Sequence, residues 1–533
     1  MNPFFLLRFD RINRAVHAAI LIAMTFIGFD SEAASGIEST SSRPNIVFLL
    51  SDDQTVGAVG CYGNKDIITP NLDQLANEGV RFLNHYNTTS ICMASRSSIM
   101  TGLYEYRHGC NFDHGNMARS FFDQSYPALL RRSGYFCGFA GKIGFVLEGE
   151  PFEIFEHEFD RWAGGPGQTH YETIKNEGIR IYADRYPHCS RAYGAWGQDF
   201  IKAAKQSGKP FCLSISFKAP HLPATPDPID WNLYDSKETF SRPQNYGAQN
   251  GKHLSPQAHT SRAAVDYSNW SNDYDKTVRN YYARITGVDA AVGMIREELE
   301  RQGFSENTVI IFTSDNGYNS GSHGFGDKVL PYEEGSKSPL IILDPRLSKQ
   351  RNGALCNAVT ANVDMAATIL ALADVTIPKG IDGKSLTPLL SNPTNHVREW
   401  LPLFNFWGVT SAQSMAIVSE RWKYIHWYYG GNEMNPTEEL FHLHDDRLEM
   451  RNLAPDNQYS QPLAAARQAY DTELVAIAAS SIRGHGYEPY SVLFDRVSEW
   501  PTKESLLSAM TQPRRIEKEN GPSEVKSKRK KQK

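Results

Sequence analysis

Two apolar runs far apart in the chain end in the same chemistry. "NIVFLL" (45–50) leads into "SDD", and "TVIIF" (308–312) leads into "TSDNG". Runs this short and this apolar, rich in Val and Ile and without alternation, are strands buried on both faces. "FCLSISF" (211–217), ending in "KAPHLP", and "PLIIL" (339–343) are further strands. Between them, "TPNLDQLANEG" (69–79) carries a helix's punctuation: Thr69 as cap, Pro70 in the first turn, Gly79 at the stop. "NYYARITGVDAAVGMIREELERQG" (280–303) has helical apolar spacing and a terminal glycine. Strands alternating with helices predict an α/β fold, a mostly parallel central sheet with helices on both faces. Ligands of such sheets gather beyond the carboxyl ends of the strands. Asp52, Asp53, His221, Asp315 and Asn316 all stand just after an apolar strand.

From about residue 395 the texture changes. "MAIVSERWKYIHWYY" (415–429) alternates like a hairpin, and "EELFHLHDDRLEMRNLAP" (438–455) reads as strand and turn. The spacing predicts a larger α/β domain over 43–395 and a smaller C-terminal subdomain with an antiparallel sheet over 396–495. The basic stretch 496–533, ending "KSKRKKQK", reads as a disordered tail. Residues 150–275, rich in Trp, Tyr, Pro and Gly, read as long loops over a cleft.

The first 34 residues have the order of a secretory signal peptide. Arg8, Arg11 and Arg14 precede the apolar run 15–29, and small residues follow near Ala33. Retention as a membrane anchor is the alternative, but the run is short for a span and no other stretch is long enough. The chain is therefore expected to be exported, to periplasm or medium, without stable membrane insertion. A net charge of -5 over 533 residues gives no footing for a nucleic-acid partner. Seven cysteines (61, 92, 110, 137, 189, 212 and 356) leave one over in an exported protein, and none shows zinc-site spacing. Cys137 and Cys212 lie in apolar runs and read as buried thiols.

Asp52, Asp53, Asp315 and Asn316 offer an all-oxygen ligand set from two strand ends, which suits Ca²⁺ or, second to it, Mg²⁺. Taken singly, "SDD" and "SDNG" read first as ordinary turns. Cys92 opens the helical stretch "CMASRSSIMTG", with Arg96 one turn on. The helix dipole and Arg96 are expected to lower the thiol's pKa. The same geometry suits an anionic substrate. Lys142 in "GFAGKIG", Lys328 in "GFGDKVLPYEEG" and His221 in "APH" add two cations and a proton donor, although each alone also reads as solvated or satisfied.

Together these stretches resemble the formylglycine-dependent (type I) sulfatases of the alkaline-phosphatase superfamily. The match runs from "RPNIVFLLSDDQ" (43–54) through "ITPNLDQLANEGVRFLNHY" (68–86), "CMASRSSIMTGLYEYRHG" (92–109), "SGYFCGFAGKIG" (133–144) and "KAPHLP" (218–223). It continues through "FTSDNG" (312–317) and "GDKVLPYEEGSKSPLII" (326–342) into the C-terminal "RWKYIHW" and "EELFHLHDDRLEMRNLA". The resemblance implies that a formylglycine-generating maturation enzyme oxidises Cys92 to an aldehyde (3-oxoalanine), hydrated at rest. It implies that one hydroxyl of the hydrate attacks sulfur and the other, on losing its proton, ejects sulfate. Asp52, Asp53, Asp315 and Asn316 then resemble the Ca²⁺ ligands, joined by the modified Cys92. Arg96 is similar to the arginine that holds this shell, Lys142 and Lys328 to the sulfate-binding lysines, and His221 to the histidine that protonates the leaving alcohol. A sulfated small molecule or glycan is the implied substrate.

Two departures stand out. Ala94 replaces the family's usual proline, and Gly144 stands where the family often has a histidine after the lysine. His108, His114 and His323 are candidates for the missing role. Two enzymatic alternatives stay open: a phosphonate or phosphodiester hydrolase on the same scaffold, and a metal-dependent phosphatase using Cys92 as a thiolate. A non-catalytic binder of sulfated glycans, with Cys92 unmodified, is the alternative from another class. "NTT" (87–89) matches a glycosylation sequon, but its place beside the site marks it as chance.

Overall fold

In the computed structural model the described residues are 43–222, 225–347 and 352–511. The leader (1–34), the linker up to residue 42 and the basic end of the tail (512–533) lie outside them. The main sheet is built from β1 (Asn45–Asp52), β2 (Val80–Tyr86), β3 (Phe136–Lys142), β4 (Arg161–Gly165), β5 (Phe211–Pro220), β6 (Thr308–Ser314), β7 (Leu340–Leu343) and β8 (Ala354–Ala361). Its order is β4-β3-β5-β1-β6-β7-β2-β8. All neighbours pair parallel except β7, which runs against both β6 and β2. The "PLIIL" run is thus the one reversed strand of an otherwise parallel sheet.

The side chains of β1 show why helices cover both faces. Ile46, Phe48 and Leu50 join one apolar cluster, with residues of the helices Cys92–Thr101, Tyr126–Arg132 and Asp364–Leu372. Val47 and Leu49 join another, with residues of the helices Pro70–Glu78, Cys189–Ser207 and Tyr274–Arg301. Alternate residues of a strand face opposite ways, so a strand apolar throughout needs a cover on each side. Because β1 lies between β5 and β6, the ends of these three strands come out side by side, and the polar residues after them meet.

Two local expectations are corrected. The stretch 150–275 is not loop throughout. It also contains the 19-residue helix Cys189–Ser207 and strand β4. Gly194 and Gly197 interrupt that helix's apolar spacing because neighbours pass close: a Cβ on Gly197 would lie 3.0 Å from Ile215 Cδ1. Thr69 precedes its helix without capping it through the side chain; its hydroxyl instead accepts from the Gly60 N–H at 2.9 Å.

Four further strands form a separate antiparallel sheet, as the alternation predicts: β9 (Leu401–Asn405), β10 (Ser414–Val418), β11 (Trp422–Trp427) and β12 (Thr437–His442), in the order β12-β11-β10-β9. The described residues from Arg43 onward form one compact unit. Lys423 of β11, fully buried, pairs with Glu333 at 2.8 Å and Glu449 at 2.9 Å. Tyr332 donates to Glu439 of β12 at 2.9 Å, and Glu333 accepts from Tyr86 at 2.8 Å. These bonds fasten the segment just after Lys328 to the second sheet through Lys423 and Glu439 and to β2 of the main sheet through Tyr86. Lys423→Met is expected to lower the unfolding free energy by about 3–5 kcal/mol, because it removes the cation from buried Glu449, whereas Glu333 keeps Lys337. The check is a lower denaturant midpoint at unchanged slope.

The tail expected from 496 is ordered in its first part. Trp500–Thr511 is helical, the Trp500 ring lies 4.9 Å from that of Tyr429, and buried Lys503 donates to the Asp495 carbonyl at 2.6 Å. Apolar residues interleaved with the charges supply that packing, which the overall charge of the segment concealed. All seven cysteines are free thiols, Cys137 and Cys212 among the buried ones.

Candidate active site

The helix Cys92–Thr101 has every residue buried, and Cys92 is its first. Its N-terminus faces the strand ends. Asp52 closes β1, and Asp53 follows with φ of 67°. Successive strand side chains point to opposite faces; this left-handed step, tolerable for Asp, breaks the alternation. Oxygens of Asp52, Asp53 and Asp315 come to lie within 4.8 Å of one another. The Asp53 N–H donates to Asp315 Oδ1 at 3.1 Å, and Asn316 Nδ2 donates to Asp53 Oδ1 at 2.6 Å.

Three buried cations balance the three carboxylates. Arg96 Nε donates to Asp315 Oδ2 at 2.8 Å, its Nη2 lies 3.4 Å from Asp52 Oδ2, and its Nη1 donates to the Lys142 carbonyl at 2.8 Å and to Ser216 Oγ. Lys142 Nζ reaches Asp52 Oδ2 at 2.6 Å. Lys328 Nζ contacts Asp53 Oδ1 and lies 2.9 Å from Cys92 Sγ, which is itself 3.5 Å from Asp52 Oδ1. Burial opposes the charge on Asp52, but Lys142, His221, Arg96 and Lys328 outweigh it and hold the carboxyl well below its usual range. Burial dominates at Asp315 and pushes it up to about 6.

The thiol departs from expectation. Burial, with Asp52 adding to it, pushes Cys92 up to about 12, against the pull of Lys142 and Lys328. Removal from water exceeds what the helix dipole supplies. In the metal-free site an unmodified Cys92 is therefore a protonated thiol at neutral pH.

His221 follows β5, with Nε2 3.7 Å from Asp53 Oδ2. Its carbonyl accepts from Tyr171 at 2.7 Å and Arg284 at 3.1 Å, so two other elements hold the residue. Burial lowers its pKa to about 4, so in the free site the ring is neutral. Asp53, Cys92, His221 and Lys328 all line a cavity of about 620 Å³. The structure thus brings together all nine residues singled out from sequence.

Gly144 has a physical reason. Its φ is +87°, and a Cβ there would lie 2.4 Å from Arg96 Cδ. A histidine at 144 cannot coexist with Arg96 in this position. The three candidate replacements are engaged elsewhere: His108 with Ser98 at 3.0 Å, His114 with the His485 and Phe406 carbonyls, and His323 with Asn245 and Asn250. Gly144→His is expected to lower kcat/KM about tenfold or more by displacing Arg96, a strain of about 1–3 kcal/mol, rather than to restore a family feature. Steady-state kinetics on any hydrolysed ester check this. Ala94 sits in the first turn, where proline and alanine both fit a helix. Asn87 is buried with its amide on Ser338, in keeping with a chance sequon.

Sequence reasoning missed several supporting residues. Ser216 accepts from Arg96, Tyr281 donates to the Asp53 carbonyl, and Gln168 lies 3.2 Å from His221 Nε2. Ser216 had a signal, a hydroxyl inside an apolar strand. Tyr281 and Gln168 had none.

A family model described as "Sulfatase" matches residues 44–375, and one described as "N-sulphoglucosamine sulphohydrolase, C-terminal" matches 321–473. An N-acetylglucosamine-6-O-sulfatase of Bacteroides thetaiotaomicron is 27% identical over 511 residues, covering 83% of this chain and 88% of that protein. A solved complex of a protein with its substrate D-glucosamine-2-N,6-O-disulfate superposes with a TM-score of 0.68 at 25% identity, covering 82% of this chain and 99% of the other. The phosphonate monoester hydrolase of Agrobacterium radiobacter shares the fold, with a TM-score of 0.65 at 20% identity over 83% of this chain and 96% of its own.

Proposed function

The chain belongs to the sulfatase family and is a sulfuric ester hydrolase, and from that premise we propose that it is an exported enzyme cleaving sulfate esters of carbohydrates at a matured Cys92. The observation that carries the reading is the convergence on Cys92: Lys328 Nζ at 2.9 Å, Asp52 Oδ1 at 3.5 Å, and His221 on the same cavity. The carbohydrate class rests on the relatives' substrates. Export rests on the leader.

The donor set fits a hard cation. Three carboxylates meet an amide oxygen, Asn316 Oδ1, that is buried with no hydrogen-bond partner among the described residues. Asp52, Asp53, Asp315 and Asn316 would hold Ca²⁺. Such an ion supplies positive charge toward the anionic ester and acidity to the nucleophile. Matured Cys92 supplies a hydroxyl nucleophile and a second hydroxyl through which sulfate is released.

The chain's own residues do the rest. Lys142 and Lys328 pair with Asp52 and Asp53; with a cation held by those carboxylates, both ammonium groups would be available to the sulfuryl oxygens, where charge accumulates. Arg96 fixes Asp52 and Asp315 relative to each other and to the start of its own helix. His221 presents Nε2 to the cavity as the proton donor for the departing alcohol oxygen. The ester's negative charge, entering beside a neutral imidazole, favours the protonated ring this step needs.

Mass spectrometry of the tryptic peptide "FLNHYNTTSICMASR" (82–96), from protein made in its native host, tests the reading. An aldehyde at 92 is expected; an intact, alkylatable thiol overturns it and leaves the glycan-binder alternative in its place. Chelation is expected to abolish turnover and lower the melting temperature, with Ca²⁺ restoring both more fully than Mg²⁺. Unchanged melting after chelation would remove the metal assignment.

A further inference from the structure

The floor of the 620 Å³ cavity is the charged cluster, but its mouth is built otherwise. Phe112 and Trp407 line it from two separate segments, with ring centroids 6.1 Å apart and planes at 57°. Phe112 is 57% exposed, and it is the one Phe, Tyr or Trp in the exposed class among the described residues. Leaving such a ring in water forgoes about 1.5–3 kcal/mol of burial. An exposed aromatic in the lining of a cavity is placed to meet a ligand.

The pair is held rather than loose. The Gly408 N–H donates to Asp113 Oδ2 at 3.0 Å, joining the two segments next to the rings. His114 lies 3.2 Å from the Phe406 carbonyl through Nε2 and stacks on Tyr487 at 4.1 Å. Beside the apolar Ile91 and Leu222, the lining also carries charged and polar groups. Arg262 Nε lies 2.9 Å from Asp327 Oδ2 and 3.1 Å from Asp266 Oδ2. Arg262 lines the cavity and its side chain is 60% exposed.

An apolar platform combined with guanidinium and carboxylates suits a ligand with one C–H face and an edge of hydroxyls. A lipid tail would leave the polar lining unpaired, and a flat aromatic ester would have nothing to offer it. A saturated sugar ring meets both demands: its C–H bonds lie on the electron-rich aromatic face, and its hydroxyls pair with the carboxylates and Arg262.

We propose that Phe112 and Trp407 form the stacking platform for the pyranose ring that carries the sulfate, with Arg262 and its two aspartates reading that ring's hydroxyls. This rests on the sulfatase reading and adds to it the residues that select the alcohol part of the ester.

The mature enzyme is assayed on a sulfated pyranoside and on an acyclic alkyl sulfate. Phe112→Ala and Trp407→Ala are each expected to reduce kcat/KM on the pyranoside about five- to tenfold, chiefly through KM, and to leave the alkyl sulfate within about twofold. Trp407→Phe is expected to keep most of the pyranoside activity. Equal losses on both substrates, or none on the pyranoside, overturn the platform. Calorimetric binding of the sulfated pyranoside to Cys92→Ala protein separates this from the catalytic reading. Binding weakened by Phe112→Ala upholds the platform even if no ester is ever turned over. No binding, or binding unaffected by Phe112→Ala, overturns it.

Discussion

Cys92→Ser protein, made without a maturation enzyme, is expected to transfer at most one sulfuryl group per molecule and then stop. The serine hydroxyl would stand where the thiol stands, near Lys328 and Asp52 on the cavity floor. It can attack sulfur weakly, but the ester it forms has no second hydroxyl on its carbon. No collapse to a carbonyl can eject sulfate, so the product stays bound covalently. Steady-state kcat is expected to fall about 10⁴-fold or more, as for loss of a nucleophile elsewhere. Intact-mass spectrometry after incubation with substrate should show one added SO₃ group. Cys92→Ala should show neither turnover nor adduct. Sustained multiple turnover by the serine variant would remove the release mechanism from this site.

The second large effect is expected at Arg96. Its guanidinium, about 1% exposed, reaches Asp52, Asp315, the Lys142 carbonyl and Ser216 at once. Arg96→Met keeps much of the packing against Gly144 but leaves two buried carboxylates short of a cation. Breaking a buried pair in this way costs about 3–5 kcal/mol of stability. Because Arg96 also sets the distance between Asp52 and Asp315, turnover should fall by about 10²–10³, the scale for losing one preorganised donor. Arg96→Lys should rescue little, since one ammonium cannot replace a planar fork serving partners on three strands. Thermal melts and kcat on the same preparations check both parts. A lysine variant with near-normal turnover would show that charge alone, and not the fork, is what the site needs.

The variants separate two kinds of knowledge. β1 and β6 were legible because unbroken Val, Ile and Leu runs have few other uses, and the acids after them could be read as a cluster once a parallel sheet was inferred. Cys92, Arg96, Lys142, His221 and Lys328 were legible through their motifs and order. The helix Cys189–Ser207 was not, because Gly194 and Gly197 answer to Ile215, Ala291 and Ile295, neighbours distant in sequence. The reversed direction of β7 was hidden as well, since a short apolar strand carries no mark of its polarity.

Local pattern therefore determined which segments become strands and helices, and which polar residues follow them, because periodicity and turn chemistry act over a few residues. Tertiary structure alone decided the rest. It set the Cys92 thiol high, because desolvation depends on everything packed around the helix start. It made Gly144 necessary, because Arg96 already fills the space a side chain would take. It also placed Phe112 beside Trp407, because a contact between residues on separate loops is fixed by the frame that holds both and by nothing within either.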